Sequence, residues 1–227
     1  MSDPFAVNVN QPTLDEAELL DTPVIAMPLV ASKPRHVRFA RHVSNILSPA
    51  AVSVPLILSV AFYRAGSILS ALVYTAVTLF FLSLGPFGYI CLGVRLGKLS
   101  DVDVSKRSER VGPFIFGLLS IALGWFALIR LHGPDALIAV LAITALSGLV
   151  MMAITLWWKI SLHTSSLAGA ITILTALYGV LMLPLFALVV LVSWSRVVLR
   201  RHTLAQTIAG SLAGIILTAL FLKLRGW

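Results

Sequence analysis

The chain has 227 residues, 59% of them hydrophobic and only 11% charged, with a mean hydropathy of +0.98. A soluble domain carries about 25% charged residues, so a water-covered globule is excluded. One cysteine, Cys91, excludes a disulfide-stapled secreted fold, and a net charge of +8 set beside apolar tracts points to lipid headgroups before nucleic acid.

Residues 1–32 hold five acids and no Lys or Arg. With no basic start and no early apolar run, they are not expected to act as a secretory signal and read as a polar, mobile tail. The tail extends to residue 42 through a basic end, KPRHVRFARHVSNIL running on into the first apolar tract. Phe39, Val43 and Ile46 share one helical face there, with Arg35, Arg38 and Arg41 or His42 around it. Either an interfacial helix or a basic flank of the first span fits that pattern.

Residues 43–227 form the expected transmembrane domain. Six tracts lack Asp, Glu, Lys and Arg: 43–63, 65–94, 111–129, 136–158, 160–195 and 202–222. A hydrocarbon core takes about 20 helical residues, so four of these fit one span each. The second tract would be about 45 Å long as one helix. It contains Gly85-Pro86-Phe87-Gly88, which predicts a single span bent near Pro86. The fifth is too long for one helix. Gly179 and Pro184 divide it into two short spans, roughly 162–179 and 182–196. The expected fold class is therefore all-α, a polytopic helix bundle of about seven spans, six being the alternative.

Seven spans place the N-terminal tail and the loops after the second, fourth and sixth helices on one side. That side holds 13 of the 17 basic residues; Arg64, Arg130, Lys223 and Arg225 fall opposite. The positive-inside rule puts the richer side in the cytoplasm, in a plasma membrane of bacterial type.

The three loops on that side read RLGKLSDVDVSKRSERVGP, WWKISLHTSS and SWSRVVLRRHTLAQ. They bring cations together with two histidines at the membrane border, His163 and His202. Phosphoryl chemistry uses such a set: guanidinium forks bind phosphate oxygens, one imidazole attacks phosphorus, and another protonates the leaving oxygen.

Ser195-Arg196, five residues, then His202 resembles the S-R-x5-H-x3-D signature of the type 2 phosphatidic acid phosphatase superfamily, which also embraces vanadium haloperoxidase relatives. Ile160-Ser161-Leu162-His163 stands where that family has P-S-G-H, keeping the Ser and the His. The stretch from Lys98 to Pro113 stands where it has K-x6-R-P, without a literal match. The resemblance covers roughly residues 98–214. It implies a metal-independent phosphohydrolase, needing no cofactor, that takes lipid phosphates or isoprenyl diphosphates from the bilayer. His202 would be the nucleophile and His163 the general acid. Arg196, Ser161 and a first-loop cation would hold phosphate. Among first-loop cations Arg110 is favoured, with Arg107 and Lys106 in support, while Lys98 would keep the Lys-before-Arg order.

The family Asp four residues after the nucleophile is Gln206 here. It can share a helix face with His202 and accept the Nδ1 proton, but it brings no charge. In a Ser-His-Asp triad the amide costs about ten-thousandfold in rate. Hence two other classes stand beside the hydrolase: a non-catalytic binder of anionic headgroups, and a prenyl or phosphatidyl transferase. The transferase would need acidic metal ligands, and only Asp101-x-Asp103 resembles them.

Other polar residues have plainer expectations. Lys159, beside Trp157 and Trp158, reads as an interface anchor. Asp101 and Asp103 read as a salt-bridged loop, and Glu109 as a partner of Arg107 or Arg110. Arg200 and Arg201 read as topology signals or headgroup contacts. Gly210-x3-Gly214 reads as a close helix-packing face.

Overall fold

The computed structural model describes residues 34–64 and 66–226; the expected mobile tail, residues 1–32, lies outside them. Long apolar tracts must satisfy their own backbone polar groups, and helices do so within one segment. Among the described residues the elements are all helical.

The single first span expected over 43–63 is broken. Helix α1 covers Arg35–Ile46 and α2 covers Pro49–Arg64, with a bend of 42° between them. Pro49 disfavours helical backbone in the residue before it and has no N–H for the ladder. The first eight residues of α1 belong to the segment read as tail. Ala40, Val43 and Ser44 are buried, whereas Phe39 and Ile46 stay exposed.

Helix α3 covers Ile68–Arg95 as one span. The bend expected near Pro86 takes the form of a π turn over Phe80–Leu84. The proline ring cannot sit against the carbonyl four residues back, and a widened turn makes room for it. The nearby Phe81 carbonyl accepts from the Ser120 hydroxyl at 2.6 Å.

Helices α4 (Val111–Arg130) and α5 (Asp135–Trp157) pack side by side. Helix α6 (Leu162–Tyr178) ends at Gly179, whose φ of +80° suits only glycine. A 3-10 turn, Val180–Leu185, leads into α7 (Phe186–Val198), and α8 covers Leu204–Leu224. The break expected within 160–195 is therefore present at Gly179.

Five helical segments are long and apolar enough to cross a membrane, and the bent α1–α2 pair would make a sixth. The seven expected spans are not reached by this measure, because α6 has only 17 residues. The Ser161 cap at its start and Gly179 at its end fix that length.

The closest packing is between α6 and α8, and glycine makes it possible. A Cβ on Gly214 would run into the Ser165 carbonyl, and one on Gly210 would meet the Ser161 carbonyl and Thr164 hydroxyl at 2.5 Å. The Thr164 hydroxyl donates across the gap to the Thr207 carbonyl at 3.0 Å. Small residues let two backbones approach in this way where the hydrophobic effect gives helices no reason to associate. Ile57, Leu128, Leu137, Leu141, Ile171 and Val192 fill the core around this pair.

Replacing Gly214 by Val should destabilise the protein by at least about 1–3 kcal/mol, because backbone cannot yield to the new side chain. Gly117→Ala, in open space, should stay within about 0.5 kcal/mol of the parent. Thermal unfolding in detergent reads both; equal midpoints would contradict the packing described.

Candidate functional site

The connections α3–α4, α5–α6 and α7–α8 meet at one end of the bundle. Each brings polar side chains, and local backbone geometry fixes where those side chains stand.

At the end of α7, the Arg201 N–H donates to the Arg196 carbonyl at 3.0 Å and the Arg200 N–H to the Val197 carbonyl at 2.9 Å. Arg200 has φ +53°. This is a Schellman turn with arginine in the left-handed position that usually takes glycine. His202 follows directly, its N–H also donating to the Arg196 carbonyl at 3.3 Å. Thr203 then caps α8 in a reciprocal box. Its hydroxyl accepts from the Gln206 N–H at 3.3 Å, and its own N–H donates to Gln206 Oε1 at 3.2 Å. The spacing from Arg196 to His202 is thus one helix end, one turn and one helix start.

Gln206 Oε1 also lies 3.2 Å from His202 Nδ1. The Thr203 N–H already donates to this atom, which identifies it as the oxygen. The imidazole must therefore carry its proton on Nδ1 and leave Nε2 with a lone pair. His202 is only 8% exposed. Burial, then the charges of Arg196, Lys159 and Arg110, push its pKa down to about 3.

Arg196, in the last turn of α7, is 2% exposed. Its Nη1 donates to the Ser44 hydroxyl of α1 at 2.7 Å and to Asp103 Oδ2 at 3.2 Å. Its Nε and the neighbouring Ser195 hydroxyl are buried without a partner. An orphaned buried donor costs about 1–3 kcal/mol, which a bound oxygen ligand would recover. Burial would raise the Asp103 carboxyl, but Arg196 and Arg201 outweigh it and hold it below its ordinary value.

Arg110 is 5% exposed and meets no carboxylate within ion-pair distance among the described residues. It donates instead from Nε to the Val104 carbonyl at 3.0 Å and from Nη1 to the Ile160 carbonyl at 3.3 Å. His163, 8% exposed, begins α6 one residue after its start, and the backbone of Ser44 lies within reach of its ring. Arg196 and Arg110 act through space on both histidines.

The structure thus brings His163, His202, Gln206, Arg196 and Arg110 together. Ser161 is adjacent but occupied: it is the N-cap of α6, its hydroxyl accepting from the Thr164 N–H at 3.5 Å and its N–H donating to the Gln206 carbonyl at 3.3 Å. Lys106 points away into a 3.2 Å ion pair with Glu109, and Arg107 donates to the Trp157 carbonyl at 2.7 Å. Glu109 therefore pairs with Lys106, and also accepts from Ser100, rather than with Arg107 or Arg110.

Two residues read otherwise from sequence, Lys159 and Arg201, and one not singled out there, Ser44, belong to the cluster. Lys159 stands among Arg110, Arg196 and Arg201, and burial followed by these charges lowers its pKa. Arg201 pairs with Asp101 at 3.6 Å and Asp103 at 3.8 Å and donates to the Ser105 hydroxyl. Ser44 gave no signal at all, since serine is common in helices and its partner lies 152 residues away. Asp101 and Asp103 form the salt-bridged loop expected, with Arg196 at the end of α7 and Arg201 just after it as partners, and no metal-binding group of three His, Cys, Asp or Glu occurs among the described residues.

No family model, no curated protein and no solved structure matches the chain.

Because His202 is neutral when folded and takes up a proton near pH 6.5 when unfolded, the unfolded state binds more protons below that pH. Stability should fall as pH drops from about 6.5 towards 3, by at most about 1.4 kcal/mol per unit from this residue. His202→Asn should lessen the slope between pH 6.5 and 4.5, before Asp103 titrates, while His163, buried beside the same arginines, keeps its own share. An unchanged slope in that interval would contradict the buried, neutral imidazole.

Proposed function

We propose that this chain is a membrane-embedded phosphohydrolase acting on lipid phosphates or isoprenyl diphosphates through a phosphohistidine on His202. The observation that carries this reading is charge. Four cations, Arg110, Lys159, Arg196 and Arg201, surround two buried histidines, against two carboxylates among the described residues there, Asp101 and Asp103. Arg110 and Arg196 are buried and Lys159 and Arg201 half-buried, and an anion would compensate the positive charge that the two carboxylates leave over. Phosphate supplies one whose oxygens match guanidinium geometry.

His202 Nε2 attacks phosphorus while the bond from phosphorus to the lipid oxygen breaks. His163, protonated once the phosphate anion is bound beside it, delivers that proton to the oxygen. Water then attacks the phosphohistidine, giving its proton back to His163 and releasing phosphate and free His202. Arg196 and Arg110 neutralise the charge on the equatorial oxygens, and phosphate displaces the Asp103 carboxylate from Arg196. Gln206 keeps the nucleophile in the productive tautomer. In this reading α2 to α8 make seven crossings, α6 as a short one. The N-terminus and the three loops lie in the cytoplasm, by the positive-inside rule.

A second reading has its own observation. Gln206 Oε1 is shared between a capping box and His202, so its identity has a structural reason and offers no charge to an imidazolium. A headgroup binder without turnover would need nothing more.

Purified protein should release phosphate from a lipid phosphate in mixed micelles, and His202→Ala should lose about a thousandfold or more of that rate. Acid-labile label from a radiophosphorus-labelled substrate should appear on the parent and be absent from His202→Ala. Equal rates would end the mechanism. Gln206→Glu keeps the capping box and adds the charge, so it should raise turnover at least about tenfold. Lipid binding with no turnover by either the parent protein or the Gln206→Glu variant would favour the binder.

A further inference from the structure

The turn of residues 101–105, in the connection from α3 to α4, engages the cations of the candidate site. Asp103 Oδ2 accepts from Arg196 Nη1 at 3.2 Å and lies 3.8 Å from Arg201 Nε. Asp101 Oδ2 lies 3.6 Å from Arg201 Nη1, and the Ser105 hydroxyl accepts from the same group. The Val104 carbonyl accepts from Arg110 Nε at 3.0 Å. Val102 is exposed, whereas Val104 is buried, so the turn has an outer and an inner side. Arg110, His163, Arg196 and His202, which meet there, are buried as well. A ligand phosphate therefore reaches the guanidinium groups only if something gives way.

The turn can give way as a unit. At its base the Glu109 carboxylate accepts from the Ser100 N–H and hydroxyl, both at 2.8 Å. Within it Asp101 Oδ1 accepts from the Asp103 N–H at 2.9 Å and the Ser105 hydroxyl at 3.1 Å, and the Val104 N–H donates to the Asp101 carbonyl at 3.0 Å. None of these bonds involves an arginine, so they survive when the guanidinium bonds break. Val104 has φ +45°. A β-branched residue seldom adopts that conformation, because its Cβ crowds the following carbonyl. The seated turn is thus one that its own sequence disfavours, held in place by Arg110, Arg196 and Arg201.

We infer that this turn is a built-in anionic plug: the Asp103 carboxylate occupies the place on Arg196 and Arg201 that a ligand phosphate takes, and the turn lifts when phosphate displaces it. The inference rests on the reading of this end of the bundle as a phosphate site, and not on turnover there. It makes Arg201 a phosphate-binding residue. A carboxylate brings one negative charge and two oxygens. A phosphate monoester brings about two charges and three oxygens, enough to serve both guanidinium groups and the orphaned Arg196 Nε. A phosphodiester carries a single charge and gains little over the carboxylate already present. The plug therefore keeps the diester headgroups of bulk phospholipids out and yields to a terminal phosphate. Its cost is affinity, which falls by the fraction of molecules whose turn is lifted.

The test uses the full chain in detergent with Cys91→Ser, so that one introduced cysteine reports on the turn. Inorganic phosphate and dimethyl phosphate are the probes, in mildly alkaline buffer. Val104→Cys should react slowly with a charged thiol reagent, and saturating phosphate should speed the reaction at least about tenfold, whereas dimethyl phosphate should not. Asp103→Asn keeps the shape and removes the charge. It should raise the anion-free labelling rate and tighten phosphate binding, read by calorimetry, about tenfold. In that background Arg201→Gln should weaken phosphate binding about tenfold. A labelling rate that phosphate leaves unchanged would mean that the anion enters with the turn in place, and would overturn the plug. Equal phosphate affinity with and without Asp103→Asn would overturn it too, and no effect of Arg201→Gln would remove Arg201 from the site. Phosphate binding by none of the variants or the parent would end both the plug and the phosphate site. Phosphate-dependent labelling together with no phosphate release from lipid phosphates would end the hydrolase and leave the plug standing.

Discussion

The polar end of this bundle depends on one contact, the backbone-to-backbone approach of α6 and α8. Gly210 and Gly214 let α8 lie against the carbonyls of Ser161 and Ser165 with no side chain between them. The Ser161 N–H reaches the Gln206 carbonyl across the same seam. These bonds tie the start of α6, which carries His163, to the start of α8, which follows His202. An extra methyl group at Gly214 would separate the two histidines as well as the two helices.

Electrostatics acts on this frame in a second step. Burial strips water from Arg110 and Arg196, and each finds different compensation: carbonyl oxygens for Arg110, Ser44 and Asp103 for Arg196. The same burial keeps His202 uncharged beside three cations. The cations themselves favour the neutral ring, so the uncompensated charge at this end of the bundle is theirs and not that of the imidazole.

The spacing between Arg196 and His202 also has a purely structural cause. A Schellman turn ends α7 and a capping box starts α8, and the interval between the two residues is what those devices occupy. The capping box has a sequence signature in Thr203-x-x-Gln206, whereas the Schellman turn has none, since Arg200 stands where glycine is usual. That Gln206 also faces His202 follows from the fourfold helical spacing. That its oxygen is the atom shared needed the geometry of two donors converging on one acceptor.

Read alone, the order of amino acids establishes a helical membrane protein, the positions of its apolar helices, the break of tract 160–195 at Gly179 and the packing of α8 through small residues. Each of these follows from hydropathy, length or local backbone preference, which act within a few turns of one segment. The division of the first span at Pro49 was not legible, because helix-start proline and span-breaking proline look alike until α1 is seen packed on α7. Which charges meet is a matter of tertiary structure. Lys159 and Arg201 read as surface cations and turned inward, while Lys106 and Arg107 read as ligands and turned away. The physical reason is that a long cationic side chain reaches several ångströms in any direction, so its partner is set by what the fold leaves uncompensated nearby. For Arg196 that partner is Asp103, 93 residues away in the chain.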